Sequence, residues 1–358
     1  MRNPFETLPA SAFWKTGVKG QNWASIEQLY TRKFPIETTT RIMTAGSCFA
    51  QHIGKRLKAS GFTVLDTELP PQGLSGAAAQ KFGYQLYSAR YGNIYTIRQF
   101  LQLLQEAHGR WTPGEVVWPK GSLYTDALRP NVEPEGLESP EAVLAHRASH
   151  LKRVRRAVAR AELVVFTFGL TEAWLHRASG TVFPIVPGTS AGGVFDAENY
   201  VFHNFTSAEV QRDFIAVRAF FRRRNPNCRF LVTVSPVPLT ATASGRHVLS
   251  ATVKSKAILR AVAGQLEERF EDVDYFPSFE LIFSPFSREC FYDLENLREV
   301  RPDAVDMVMK TFLRAHAAAL QPGAEPIVTP QTKPAGKSAA QSDGEVVCEE
   351  ILLEAFKR

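Results

Sequence analysis

The run Leu163-Val-Val-Phe-Thr-Phe168 constrains this chain more than any other stretch. It is apolar or β-branched throughout and lacks the alternation of a half-exposed strand. It therefore reads as a strand buried on both faces, as in a parallel sheet covered by helices. Mostly apolar or β-branched runs recur at residues 42–45, 62–66, 229–235 and 273–276. Between them lie segments of helical period. From Cys48 onward Phe49, Ile53 and Leu57 repeat every four residues, with Gly61 as the stop. Further helices are predicted over residues 97–107, 141–160, 207–224, 248–270 and 302–319, the last with Pro302 at its start. Strands alternating with helices predict an α/β fold with a doubly wound parallel sheet. In such sheets the site lies beyond the carboxyl ends of the strands. Gly46-Ser47-Cys48, Gly169 to Glu172 and Ser235 to Leu239 all follow strands, so they are predicted to converge.

The first of these carries chemistry. Gly46 permits a tight turn or a close backbone approach. Ser47 and Cys48 then fall at a helix N-terminus, where free N–H groups and the helix dipole favour negative charge. A nucleophile is activated in such a place and an oxyanion is stabilised there. The competing structural reading is that Ser47 caps the helix and Cys48 is a small core residue.

Composition bounds the remaining possibilities. The chain has 358 residues, 44% of them apolar and 22% charged, the range of a globular protein. Residues 1–320 read as one domain, with a covering insertion at 109–140 and an aromatic arm over 1–40 that packs on it. Residues 69–79 read as a loop. Residues 321–343 are poor in apolar residues and rich in Pro, Gly and Ser, a flexible linker. Beyond it residues 344–358 form a short amphipathic segment, with Val347, Ile351, Leu352 and Phe356 at helical spacing, suited to docking on this protein or on a partner. No apolar run approaches the ~18 residues of a membrane span. The N-terminus has no secretory h-region, which places the chain in the cytoplasm. The four cysteines show no C-x-x-C pairing, so neither a metal site nor a disulfide framework is implied, and no cofactor is called for. Arg147, Lys152, Arg153, Arg155, Arg156 and Arg160 share a helical segment. Without an accompanying binding module they read as a solvated face, and no nucleic-acid partner is predicted.

Several motifs together resemble a known family. They are Gly46-Ser47-Cys48-Phe49-Ala50, Tyr91-Gly-Asn-Ile-Tyr-Thr96, Thr167-Phe-Gly-Leu-Thr-Glu-Ala-Trp174, Phe202-His-Asn-Phe205, Ser235-Pro-Val-Pro-Leu239 and Ser255-Lys256. The match resembles the GSCFA-domain family over roughly residues 5–315, and that family resembles the SGNH/GDSL hydrolases. The resemblance implies a flavodoxin-like, SGNH-hydrolase-type three-layer sandwich. It also implies an acyl-ester hydrolase or O-acyltransferase acting on an acylated carbohydrate or glycan precursor. Aligned on Gly46, the nucleophile of the GDSL relatives falls on Cys48; aligned on residue type, it falls on Ser47. Gly92, Asn93, Gly169 and Thr171 stand where oxyanion and substrate donors are expected, and Glu172 where a carboxylate orients a histidine or binds substrate. Arg301 takes the place of the relatives' catalytic histidine, and arginine is no base at neutral pH. His247, in the loop after the 229–235 strand, is then the first candidate base. His203, in what reads as a loop, is second. His52, one helical turn past Cys48 and on its face, is third. The missing histidine also admits a second class: a non-catalytic binding protein on a degraded SGNH scaffold.

Overall fold

In the computed structural model, residues 3–22, 26, 28–284, 291–316 and 349–356 are described. Four strands form the central sheet: β1 (Ile42–Gly46), β4 (Leu163–Phe168), β8 (Arg229–Val234) and β9 (Val273–Tyr275). They pair in the order β1-β4-β8-β9, all parallel. Successive side chains leave opposite faces of each strand, and both faces are apolar. Met43, Ala45, Val164, Phe166, Phe230 and Val232 meet α3 (Ile97–Ala107), α4 (Pro140–Arg160), α5 (Ser207–Arg222) and α6 (Val248–Arg269). Ile42, Leu163, Val165 and Leu231 meet α1 (Phe49–Ala59), α7 (Ser278–Phe283) and α8 (Pro302–Ala315). The result is a three-layer α/β arrangement. Because every β4 residue is buried, its unbroken apolar run is what a central position in a covered sheet demands.

Helix starts follow local chemistry. Ser139 caps α4 ahead of Pro140, Thr96 caps α3, and Thr206 with Glu209 forms a reciprocal capping box on α5.

Several expectations need correction. Residues 62–66 make only one parallel bridge to the sheet, Ile42 to Val64. The chain leaves after a single ladder step because Thr67 N–H donates to Ser88 O at 2.9 Å instead. Part of the 69–79 loop is helical: α2 (Gly76–Lys81) has three consecutive alanines after Gly76, and alanine is a strong helix former. The 202–205 motif is not a loop. It lies in β7 (Tyr200–Asn204), which pairs antiparallel with β5 (Glu172–His176); β5 also pairs with β6 (Val182–Phe183). A hairpin of β2 (Val117–Lys120) and β3 (Leu123–Asp126) fills the 109–140 insertion and shares a small core with β6 and β7. Arg147 is buried rather than solvated, and Leu144 on the same helix is exposed. The carboxylates of Glu106 and Asp126 draw Arg147 inward.

The N-terminal arm packs only in part. Phe13 and Trp14 are exposed, whereas Ile26, Phe34 and Ile36 join the core. Residues 321–343, Val347 and the end of the 302–319 prediction lie outside the described residues. Within the C-terminal segment Glu349–Phe356, Leu352 and Leu353 pack against the small core while Phe356 stays exposed.

Candidate functional site

The site grows from the turn between β1 and α1. Gly46 has φ +137°, and a Cβ there would lie 2.5 Å from Thr167 O and 2.7 Å from Thr167 N. Only glycine lets β1 end this close to β4. Gly46→Ala is therefore expected to cost on the order of 3 kcal/mol, from backbone strain and overpacking together. A urea midpoint unchanged from that of the unmodified chain would remove this account of the turn.

Beyond Gly46, Ser47 N–H donates to Thr167 O at 3.3 Å. Ser47 is 2% exposed, and its Oγ has no hydrogen-bond partner among the described residues. Cys48, also buried, occupies the cap position of α1 without a side-chain cap bond. Ser47 lies one position before the cap, so the reading of Ser47 as the helix cap does not hold. Gly169 packs directly on this turn: a Cβ on Gly169 would meet Ser47 Cβ at 2.8 Å and Tyr95 O at 3.0 Å. The end of β1 and the end of β4 thus meet, as fold geometry requires.

Asn93 is buried beside them. Its amide oxygen accepts from Gln51 Nε2 at 3.0 Å and touches the Tyr87 hydroxyl, which lies 3.1 Å from Ser47 O. Its carbonyl accepts from Gln99 Nε2 at 3.0 Å. These contacts set the amide's orientation. Gly92, with φ +68°, turns the chain into this position, and Ile94 N–H then donates to Gly46 O at 2.8 Å. The N–H groups of Gly169 and Leu170 both donate to Tyr95 O, at 3.2 and 2.9 Å. They are spoken for, as is the Thr171 hydroxyl, which donates to Asn204 Oδ1 at 2.7 Å.

Glu172 sits on the next strand. Its carboxylate accepts from the Thr242 hydroxyl at 2.8 Å and from Asn204 Nδ2 at 3.3 Å. Burial raises its pKa above the usual carboxylate value. It orients a threonine and an asparagine, not a histidine. The three candidate bases lie on three different elements. His247 is exposed at the start of α6, where its Nδ1 accepts from Leu249 N–H at 3.2 Å. His203, on β7, holds Glu209 through Nε2 at 3.0 Å and stacks edge-on with Phe205. His52 is half-buried on α1, its ring 5.8 Å from that of Phe49. The structure brings Ser47, Cys48, Asn93 and Gly169 together. His203 and His247 are tied elsewhere.

One residue escaped the sequence reading of the site. Lys256, on α6, is 2% exposed, and its Nζ donates to Gly169 O at 2.8 Å. Its neighbour Ser255 accepts from Thr171 N–H at 3.0 Å. The signal was present: Lys256 falls on the buried stripe Thr252, Ser255, Leu259, Val262 and Leu266. A lysine on such a stripe is seldom buried unless paired.

Tyr95 and Leu170, adjoining Gly169, also wall a cavity of about 190 Å³ enclosed by β5, β6, β7 and the 239–243 loop. No cluster of His, Cys, Asp and Glu suited to a metal ion occurs among the described residues. None of their helices is long and apolar enough to cross a membrane. A search of curated proteins finds no match to the chain. The GSCFA family matches it over residues 41–312, three quarters of its length and every element from β1 to most of α8, so the chain belongs to the GSCFA family.

Proposed function

We propose that this protein is an acyl-ester hydrolase or O-acyltransferase of the SGNH type, acting in the cytoplasm on an acylated carbohydrate or glycan precursor through an acyl-enzyme at Cys48 or Ser47. The observation that carries the reading is the turn after β1. It sets Ser47 and Cys48 at the head of α1 and against Gly169, between two adjacent strands. Counting the Ile42–Val64 bridge as a second strand position, the sheet order becomes 2-1-3-4-5, whose switch point lies between β1 and β4. Ligands of open α/β sheets bind at that point.

In the proposed step the thiolate or alkoxide attacks the ester carbonyl carbon. A C–S or C–O bond forms, and negative charge gathers on the carbonyl oxygen at the N-terminal end of α1, where the helix dipole favours it. The C–O bond to the alcohol then breaks, and the alcohol leaves with the proton that the thiol or hydroxyl gave up on becoming the nucleophile. Water or a sugar hydroxyl attacks the acyl-enzyme and restores the nucleophile. The carbohydrate class rests on the family resemblance alone.

The test is covalent labelling with an acyl-donor probe, read by mass spectrometry. We expect label on Cys48 or Ser47, lost in Cys48→Ser or in Ser47→Ala respectively. Cys228 is expected to stay unlabelled, since burial pushes its thiol up to about 12 and leaves almost no thiolate near neutrality. If neither Cys48 nor Ser47 is labelled by any acyl donor, the enzyme reading fails.

A second reading, a binding protein on a degraded SGNH scaffold, has its own support. Arg301 stands at the cap position of α8, paired with Asp303, where a catalytic histidine is expected. His203 Nε2 and His247 Nδ1 serve other contacts.

A further inference from the structure

The cavity behind β5 has one wall that does not belong to the core domain. Leu353, from the segment Glu349–Phe356, lines it. Leu352 and Leu353 also pack against the small core that includes Trp118, Phe183, Ile185 and Tyr200. The fixed walls include Leu170, Trp174, Phe183, Phe202 and Leu239, with the Glu172 carboxylate and Thr242 hydroxyl as the polar groups between them. Antiparallel pairing explains the lining: Trp174 stands opposite both Phe202 and Phe183, so all three leave the same face of the small sheet.

Three features make this a binding site rather than a packing gap. Its volume, about 190 Å³, exceeds the roughly 150 Å³ at which an apolar cavity admits a benzene-sized guest. Glu172 has taken two donors, Thr242 and Asn204, whereas a carboxylate offers about four lone-pair sites. Finally, the wall formed by Leu353 belongs to Glu349–Phe356, which pairs with no strand, so it can depart without disturbing any of them.

We propose that this cavity binds a neutral aromatic or short aliphatic group carrying an N–H or O–H donor for Glu172, and that Glu349–Phe356 covers it in cis through Leu352 and Leu353. Two leucines make a small interface. It suffices because a tethered segment is held near its site at a local concentration of roughly millimolar. A ligand that needs the mouth must displace the segment, so the segment lowers the ligand's apparent affinity by the fraction of time it is docked. The inference stands whether or not Cys48 or Ser47 reacts, because it concerns occupancy alone.

The test uses the full chain and N-phenyl-1-naphthylamine, a neutral aromatic amine whose fluorescence rises in apolar surroundings. Leu352→Asp with Leu353→Asp is expected to lower its Kd at least tenfold relative to the unmodified chain, and Leu353→Ser to act in the same direction. Adding Ala241→Trp, which fills the cavity from its exposed rim, is expected to abolish the gained binding. A synthetic peptide spanning residues 349–358 is expected to raise the Kd of the aspartate variant. Equal affinity in the unmodified chain and in Leu353→Ser would overturn the covering role. Gained binding that survives Ala241→Trp would overturn the site.

Discussion

Replacing Arg147 with methionine is expected to remove about 3–5 kcal/mol of stability, the usual cost of stranding buried charges. The Arg147 guanidinium on α4 binds both oxygens of Asp126 on β3 at 3.0 Å and reaches Glu106 on α3 with Nε at 2.7 Å. Asp126 would retain Arg129, at 2.7 Å. Glu106 would lose both hydrogen bonds that Arg147 gives it. The effect should therefore be partly reversed by Glu106→Met in the same chain, since two apolar side chains strand no charge. Urea unfolding of the single and double variants measures this. A loss below about 1 kcal/mol for Arg147→Met, or no recovery in the double variant, would show that the network does not bind the insertion to the helical layer.

Acidification from pH 7 to pH 5 is expected to lower stability by about 2 kcal/mol for each of two buried histidines. Burial pushes both His150 and His316 down to about 4. His150 gives its Nδ1 proton to Glu68 at 2.7 Å, near Arg129, and its Nε2 has no partner among the described residues. His316 lies 3.4 Å from the Tyr30 hydroxyl, in the field of Arg32 and Arg229. The unfolded chain takes up protons at both rings below about pH 6.5, whereas the folded chain resists until about pH 4. Stability is thus full above that window and is lost as the pH falls through it. Burial is outweighed at Asp126 by Arg147 and Arg129, and at Glu68 by His150 and then Arg129, which hold both carboxyls down to about 2. Their stabilisation is lost only in more acid solution. Burial raises the carboxyls of Glu172 and Asp274, which act in the opposite sense. His316→Phe isolates one ring: its stability should change less between pH 7 and pH 5 than that of the unmodified chain. An unchanged slope would rule out His316 as a contributor.

Lys256 and Arg147 show where reading from residue type reaches its limit. Both sit in segments that read as helices from the sequence, and both bury a charge. Helical period places a residue on a face, but it does not say what that face meets. Arg147 was assigned to water because its helix carries five other basic residues. Its actual surroundings depend on Glu106 and Asp126, 41 and 21 residues earlier in the chain. The strands β5, β6 and β7 were missed for a related reason. β5 and β7 are short and only partly buried, β6 is two residues long, and all three are held by pairing with one another rather than by an apolar run of their own.

The sequence by itself determined the three-layer α/β class, the buried central strands and the turn at Gly46-Ser47-Cys48. Each is a local matter, set by apolar period, by glycine's freedom at positive φ and by the strand-to-helix change. It also determined that the segments following three strands would meet, because parallel strands share one carboxyl edge. Tertiary structure alone decided that Gly169 packs on Ser47, that Lys256 holds the Gly169 carbonyl, and that His203 and His247 serve other partners. It alone decided that Leu353 walls the cavity. These are contacts between residues far apart in sequence, fixed by how the layers pack, and no local pattern encodes the partner of a side chain.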